Sequence, residues 1–79
     1  MSAEYKKEKM ESLFRNIFPE LSGASTEKIE SAVREEIETW DSANHLLLIT
    51  CLEQDFQITI SDEQAVGIDS FRYAMALVQ

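Results

Sequence analysis

An acid, a hydroxyl and an imidazole lie together at Asp41, Ser42 and His45, inside the run ETWDSANHLLLITCLEQDF (residues 38–56). These are the residue types of a hydrolytic triad, but the spacing does not suit one. A triad places the histidine between serine and acid, and adds an oxyanion hole and a substrate pocket. Helix positions three and four apart share a face, so all three residues crowd into one turn, and a chain of 79 residues leaves little material for the rest. Hydrolysis is therefore set aside, and His45 is expected to be a surface or partner contact. The other chemistry open to Ser42 is to carry a group. It stands first in an apolar helix, where free backbone N–H groups and the positive end of the helix dipole favour a phosphate. It also follows a long loop, along which an enzyme can approach. On position alone, plain helix capping is the simpler reading of an Asp-Ser pair.

The elements that must position Ser42 are helices and loops. A first helix is expected from about Ala3 to Phe18, because Met10, Leu13, Phe14, Ile17 and Phe18 form the apolar stripe of an amphipathic helix. Ser2 is its expected N-cap, Pro19 marks its end, and Lys6, Lys7 and Lys9 read as a solvated face. Residues 19–40 form a long connection with a turn at Gly23. Within it Ser25 or Thr26 can cap a short helix, and Ile29, Val33 and Ile37 are the anchors to the core. Connections this long are usually functional or packed by their own side chains.

The second major helix runs from Ser42 to about Phe56, with Asp41 as its N-cap. Leu46, Ile49, Leu52 and Phe56 are expected to face the core, with Leu48 beside them and Cys51 as a small buried filler. Leu47 falls on the other side. The run QITI alternates like a strand but has no partner strand, so Ile58 and Ile60 are read as loop anchors. A short helix capped by Ser61 or Asp62 and ending near Gly67 follows. The last helix is capped by Asp69 or Ser70 and buries Phe71, Met75 and Val78, with Ala74 nearby. The expected fold is all-α: a small helical bundle of three main helices plus a short helix, with a long first loop, all in one domain over residues 1–79.

Composition narrows the function further. A chain of this length buries only about 60% of its unfolded surface, enough for one small core but not for a deep active site. The single cysteine rules out an internal disulfide and fits a reducing compartment. The start, MSAEYKKEKME, lacks the apolar segment of a signal peptide, so a cytoplasmic location is expected. The net charge is −8, and every residue from Glu35 to Phe71 that carries a full charge is acidic. Such a surface argues against nucleic acid and anionic membrane as partners and favours partners with a basic docking face. The acidic half does not match the spacing of a calcium-binding EF-hand loop, and no metal site is expected.

The run WDSANHLLLITCLEQDFQITISDEQ resembles the acyl carrier protein family, in particular free-standing carriers with a Trp-Asp-Ser motif. The likeness extends over about Ile37 to Val78. It takes in Ile37, Trp40, Leu46, Ile49, Leu52 and Glu53, then Phe56, Ile60, Asp62, Glu63, Ala65, Ile68 and Phe71. Asp-Ser alone is no signature; joined to the Leu-Glu-x-x-Phe-x-Ile run at this distance it is a specific one. The resemblance implies that Ser42 is esterified by 4′-phosphopantetheine, making the chain a phosphoprotein, with Asp41 as helix cap and recognition residue. The arm's terminal thiol would hold acyl groups as thioesters and present them to client enzymes, so the chain itself would be no enzyme. The implied partners are a phosphopantetheinyl transferase and acyl-loading and acyl-processing enzymes with basic or apolar docking faces. A monomer without membrane insertion is expected.

Two departures from the family pattern bear on the partner. Ala43 stands where the family usually has leucine, removing an apolar contact worth about 1.5–3 kcal/mol when fully buried. Asn44 and Leu47 stand where fatty-acid-type carriers show acids. Ala43, Leu47 and Glu53 are therefore the expected partner-recognition residues, and the pathway is expected to be a specialised fatty-acid, polyketide or related biosynthesis. An aminoacyl or peptidyl carrier, or a carrier-like module that binds a partner without being modified, are the alternatives.

Overall fold

The structure is a computed structural model and describes residues 2–79. Its helices are α1 (Ala3–Ile17), α2 (Thr26–Glu30), α3 (Ser42–Phe56), α4 (Asp62–Gly67) and α5 (Phe71–Val78), with 3₁₀ turns at Pro19–Leu21 and Arg34–Glu36. All five helices start by the same device. The side chains of Ser2, Ser25, Asp41, Ser61 and Ser70 each accept the backbone N–H of the residue three positions on, worth about 0.5–2 kcal/mol per cap. Ser61 adds a reciprocal bond, with the Gln64 side chain accepting the Ser61 N–H at 3.0 Å. α3 ends at Gln57, which takes the left-handed conformation (φ 53°, ψ 49°) that usually falls to glycine.

The expected stripe of α1 is buried in full: Met10, Leu13, Phe14 and Ile17 within the helix, and Phe18 just past it. Phe14 is the hub of the core. Its ring meets Phe18, Trp40 and Phe71 edge-on at 5.5, 5.5 and 5.2 Å between centroids. Leu48, Leu52 and Phe56 come in from α3, and Phe71, Ala74 and Val78 from α5, to make one apolar cluster.

The structure departs from the sequence expectation at several points, and Ile49 and Met75, expected in the core, are only half-buried against it. Leu46 is not a core residue: it is 64% exposed, and Leu48 takes the inward position with no exposed surface. Residues 46–49 are all apolar, so two helix registers compete, and packing against α1 selects the one led by Leu48. Val33, expected as an anchor to the core, is only half-buried. Helix α2 stops at Glu30, and the chain then extends so that Arg34 N–H donates to Asp69 O (2.8 Å) and Phe71 N–H to Ala32 O (3.0 Å). This isolated antiparallel bridge pairs Val33 with Ser70 and buries Ala32 instead. Finally, Lys6 and Lys9 of α1 are not merely a solvated face, whereas the Lys7 side chain stays 45% exposed. Lys6 donates to Val78 O and Lys9 to Asp55 O, each at 2.8 Å, while Lys7 pairs with Glu30 at 2.8 Å. Lys6 and Lys9 thus bring positive charge to the negative C-terminal ends of α5 and α3. No helix among the described residues is long and apolar enough to cross a membrane.

Candidate functional site

Ser42 is the first residue of α3 and is exposed. The corner that carries it is held from several sides. Asp41 is extended (φ −92°, ψ −175°), and its Oδ1 accepts the Asn44 N–H at 2.9 Å. The Asn44 side chain returns to donate to Thr39 O at 2.7 Å. Thr39 in turn donates its N–H (3.0 Å) and its hydroxyl to the carboxylate of Glu20. These two bonds, the hydroxyl's first, hold the Glu20 carboxyl below its ordinary pKa. Trp40 is 3% exposed and stacks on Phe18 at 4.9 Å. Its carbonyl accepts from Arg34 Nε at 3.2 Å. A serine on so short a loop end would ordinarily move with the loop; here Trp40 is sunk in the core just before it and the helix begins with it.

His45 departs from its expected role as a surface or partner contact. It is half-buried, and both ring nitrogens are engaged within the chain. Nδ1 accepts the indole N–H of Trp40 at 2.8 Å, and Nε2 lies 2.8 Å from Ala65 O. A carbonyl can only accept, so Nε2 carries the proton and the ring is the neutral Nε2–H tautomer. Neither nitrogen is left for the Ser42 hydroxyl, so His45 is not poised as a base toward it.

Beside Ser42 a groove of about 410 Å³ runs between α3 and α4, lined by Ser42, His45, Leu46, Ile49, Ala65 and Val66, with Arg34 at its edge. Its walls stand out into solvent: Leu46 is 64% and Val66 82% exposed, and Leu47, on the neighbouring face of α3, is 46% exposed. Ala43 is exposed beside them. Four of the five residues expected to matter, Asp41, Ser42, Ala43 and Leu47, therefore gather at the start of α3. Glu53 lies about three turns beyond Ser42 and is half-buried, with Oε2 accepting the Ile60 N–H at 3.0 Å. One of its oxygens thus serves the fold. Cys51 is partly rather than fully buried, and burial first, then the Asp55 carboxylate, pushes its thiol pKa up.

Sequence reasoning missed Leu46, Val66 and Arg34 as parts of this site. Val66 carried a signal: it is an apolar residue in a short helix that has no inward stripe to place it on. No family model matches the chain, and no curated protein or solved structure is similar enough to count as a match.

Proposed function

We propose that this chain is an acyl carrier protein, bearing 4′-phosphopantetheine on Ser42. The observation that carries the reading is an exposed serine at the first position of a capped 15-residue helix, on a braced corner, at the rim of an apolar groove. The sequence resemblance of residues 37–78 to the carrier family supports it independently. The residues present suit the group. Ser42 offers an accessible hydroxyl, and the helix start, where Asp41 takes the Asn44 N–H but those of Ser42 and Ala43 lie ahead of the intrahelical ladder, favours an anion there. Among the described residues Arg34 is the cation that lines the groove, and its charge complements a phosphodiester.

When attached, the arm supplies a thiol that holds acyl groups as thioesters. The chain's own part is to hold Ser42 outward, to offer an apolar trough next to the tether, and to present a face that client enzymes recognise. A tether raises the effective concentration of cargo at each client. Ala43, Leu46, Leu47 and Val66 make that face apolar around the serine, Asp41 lies next to it, and Asp62 and Glu63 are exposed in the first turn of α4. The clients would be a phosphopantetheinyl transferase and acyl-loading and acyl-processing enzymes whose docking faces combine an apolar centre with basic groups. A specialised fatty-acid, polyketide or related pathway in the cytoplasm is the setting this face suits.

The test is modification. With coenzyme A and a broad-specificity transferase, the intact protein should gain the mass of one phosphopantetheine, and Ser42→Ala should keep its circular dichroism spectrum and gain nothing. Failure of several transferases to modify the folded wild type would favour the unmodified interaction module, which the missing leucine at Ala43 would then explain.

A further inference from the structure

We infer that His45 is a positioning residue that pins α4 to α3 and so sets the opening of the groove beside Ser42. The inference rests on the carrier reading only for what the groove is used for; the pin itself is a property of the fold.

Little else holds α4. The helix has six residues and none of them is buried. Apart from the half-buried Ala65, its connections to the core lie outside it, at Ile60 before and Ile68 after. Within the helix, Gly67 lies against the Tyr73 ring so closely that a Cβ there would come 2.6 Å from the hydroxyl. That contact sets the far end of α4 beside Tyr73 of α5. Toward α3, the carbonyl of Ala65 is bound by the His45 ring, and Ala65 and Val66 are the wall of the groove opposite Leu46 and Ile49. An element with few buried contacts opens at low free energy cost, so a single bond counts for more here than in α1.

The bond to Ala65 is itself aimed. His45 can donate from Nε2 only as the tautomer that accepts at Nδ1, and the Trp40 indole N–H supplies that partner at 2.8 Å. Trp40 is fixed by stacking on Phe18. The ring therefore passes the position of the core-anchored loop, through α3, to the wall of α4. A shift of α4 away from α3 would widen the trough, and water would reach whatever the tether lays in it.

The two bonds are separable because asparagine reaches the position of Nδ1 and glutamine that of Nε2. His45→Gln should keep the bond to Ala65 and lose the one to Trp40; His45→Asn should do the reverse. The measurement is amide hydrogen exchange on the full chain without its arm, at Ala65 and Ile68, whose N–H groups bond to Ser61 and Ala65. In His45→Asn these amides should exchange at least tenfold faster relative to those of α1, and in His45→Gln less than threefold. Emission from Trp40, the sole tryptophan, should follow the opposite order, shifting in His45→Gln and holding in His45→Asn. On protein loaded with an octanoyl thioester, alkaline hydrolysis should quicken in His45→Asn and be restored by His45→Gln. Equal α4 exchange in the two variants, or wild-type exchange in His45→Asn, would overturn the inference. If no transferase loads Ser42, the carrier reading falls while the exchange result still decides whether His45 pins α4.

Discussion

The register of α3 can be tested by truncating two leucines two residues apart. Leu48 has no exposed surface and Leu46 is 64% exposed, although both lie in the same apolar run. Leu48→Ala removes buried methyl groups and leaves a cavity, at a cost of about 2–5 kcal/mol. A chain of 79 residues has a total stability of about 4–12 kcal/mol, so this one change removes a large part of it. In thermal unfolding, each kcal/mol moves Tm by about 4–8 °C in a domain of this size, and Leu48→Ala should lower Tm by 10 °C or more, on the order of the same scaling. Leu46→Ala removes methyl groups that are already largely wet, and alanine is at least as good a helix former, so its effect should stay within about 0.5 kcal/mol. Urea and thermal unfolding followed by circular dichroism measure both variants under one set of conditions. If Leu46→Ala costs as much as Leu48→Ala, the inward face of α3 is misassigned, and the groove beside Ser42 with it.

Two further outcomes follow from the site. On the proposed carrier reading, Leu47→Glu should leave the unfolding midpoint unchanged but slow acyl transfer by the client enzyme about tenfold, a loss of about 1.4 kcal/mol; transfer at the wild-type rate would show that Leu47 is not part of a docking face. Glu20 brings a pH dependence. Its carboxyl is held below its ordinary value by Thr39, so the stability it adds is complete above its unfolded pKa of about 4.3 and is lost as pH falls through the lower folded value. Glu20→Ala should therefore be less stable than wild type at neutral pH, with the gap closing under acid. Urea midpoints of the pair from neutral to acid pH measure this, and a gap that stays constant would mean the Glu20–Thr39 bonds do not form in solution.

What the sequence disclosed depended on how far apart the interacting residues lie. Helix starts were legible because a cap works on the N–H three residues on: Ser2, Asp41 and the serines near 25, 61 and 70 announce themselves locally. The α1 stripe was legible because polar residues interrupt it and leave only one register. Lys6 and Lys9 were misread because their acceptors lie 72 and 46 residues away, at Val78 and Asp55, and nothing near a lysine shows that a helix will end beside it. The role of His45 was hidden for the same reason, since Ala65 is 20 residues distant.

The case of α3 is different, because the residues at issue are neighbours. With Leu46, Leu47, Leu48 and Ile49 in succession, hydrophobic periodicity cannot choose a face; it can only say that more apolar surface is present than one face needs. The packing choice then settles two things at once. Turning Leu48 and Leu52 toward α1 leaves Leu46 facing Val66 across the groove and Leu47 open beside it. Core and groove are therefore two consequences of one rotation. In a chain that needed this helix only for its core, Leu46 and Leu47 could be polar at little cost to the fold, since both are substantially exposed. On the carrier reading we propose, their apolar character serves the trough and its neighbouring face, which would meet a tethered cargo and an enzyme that comes to Ser42 to collect it.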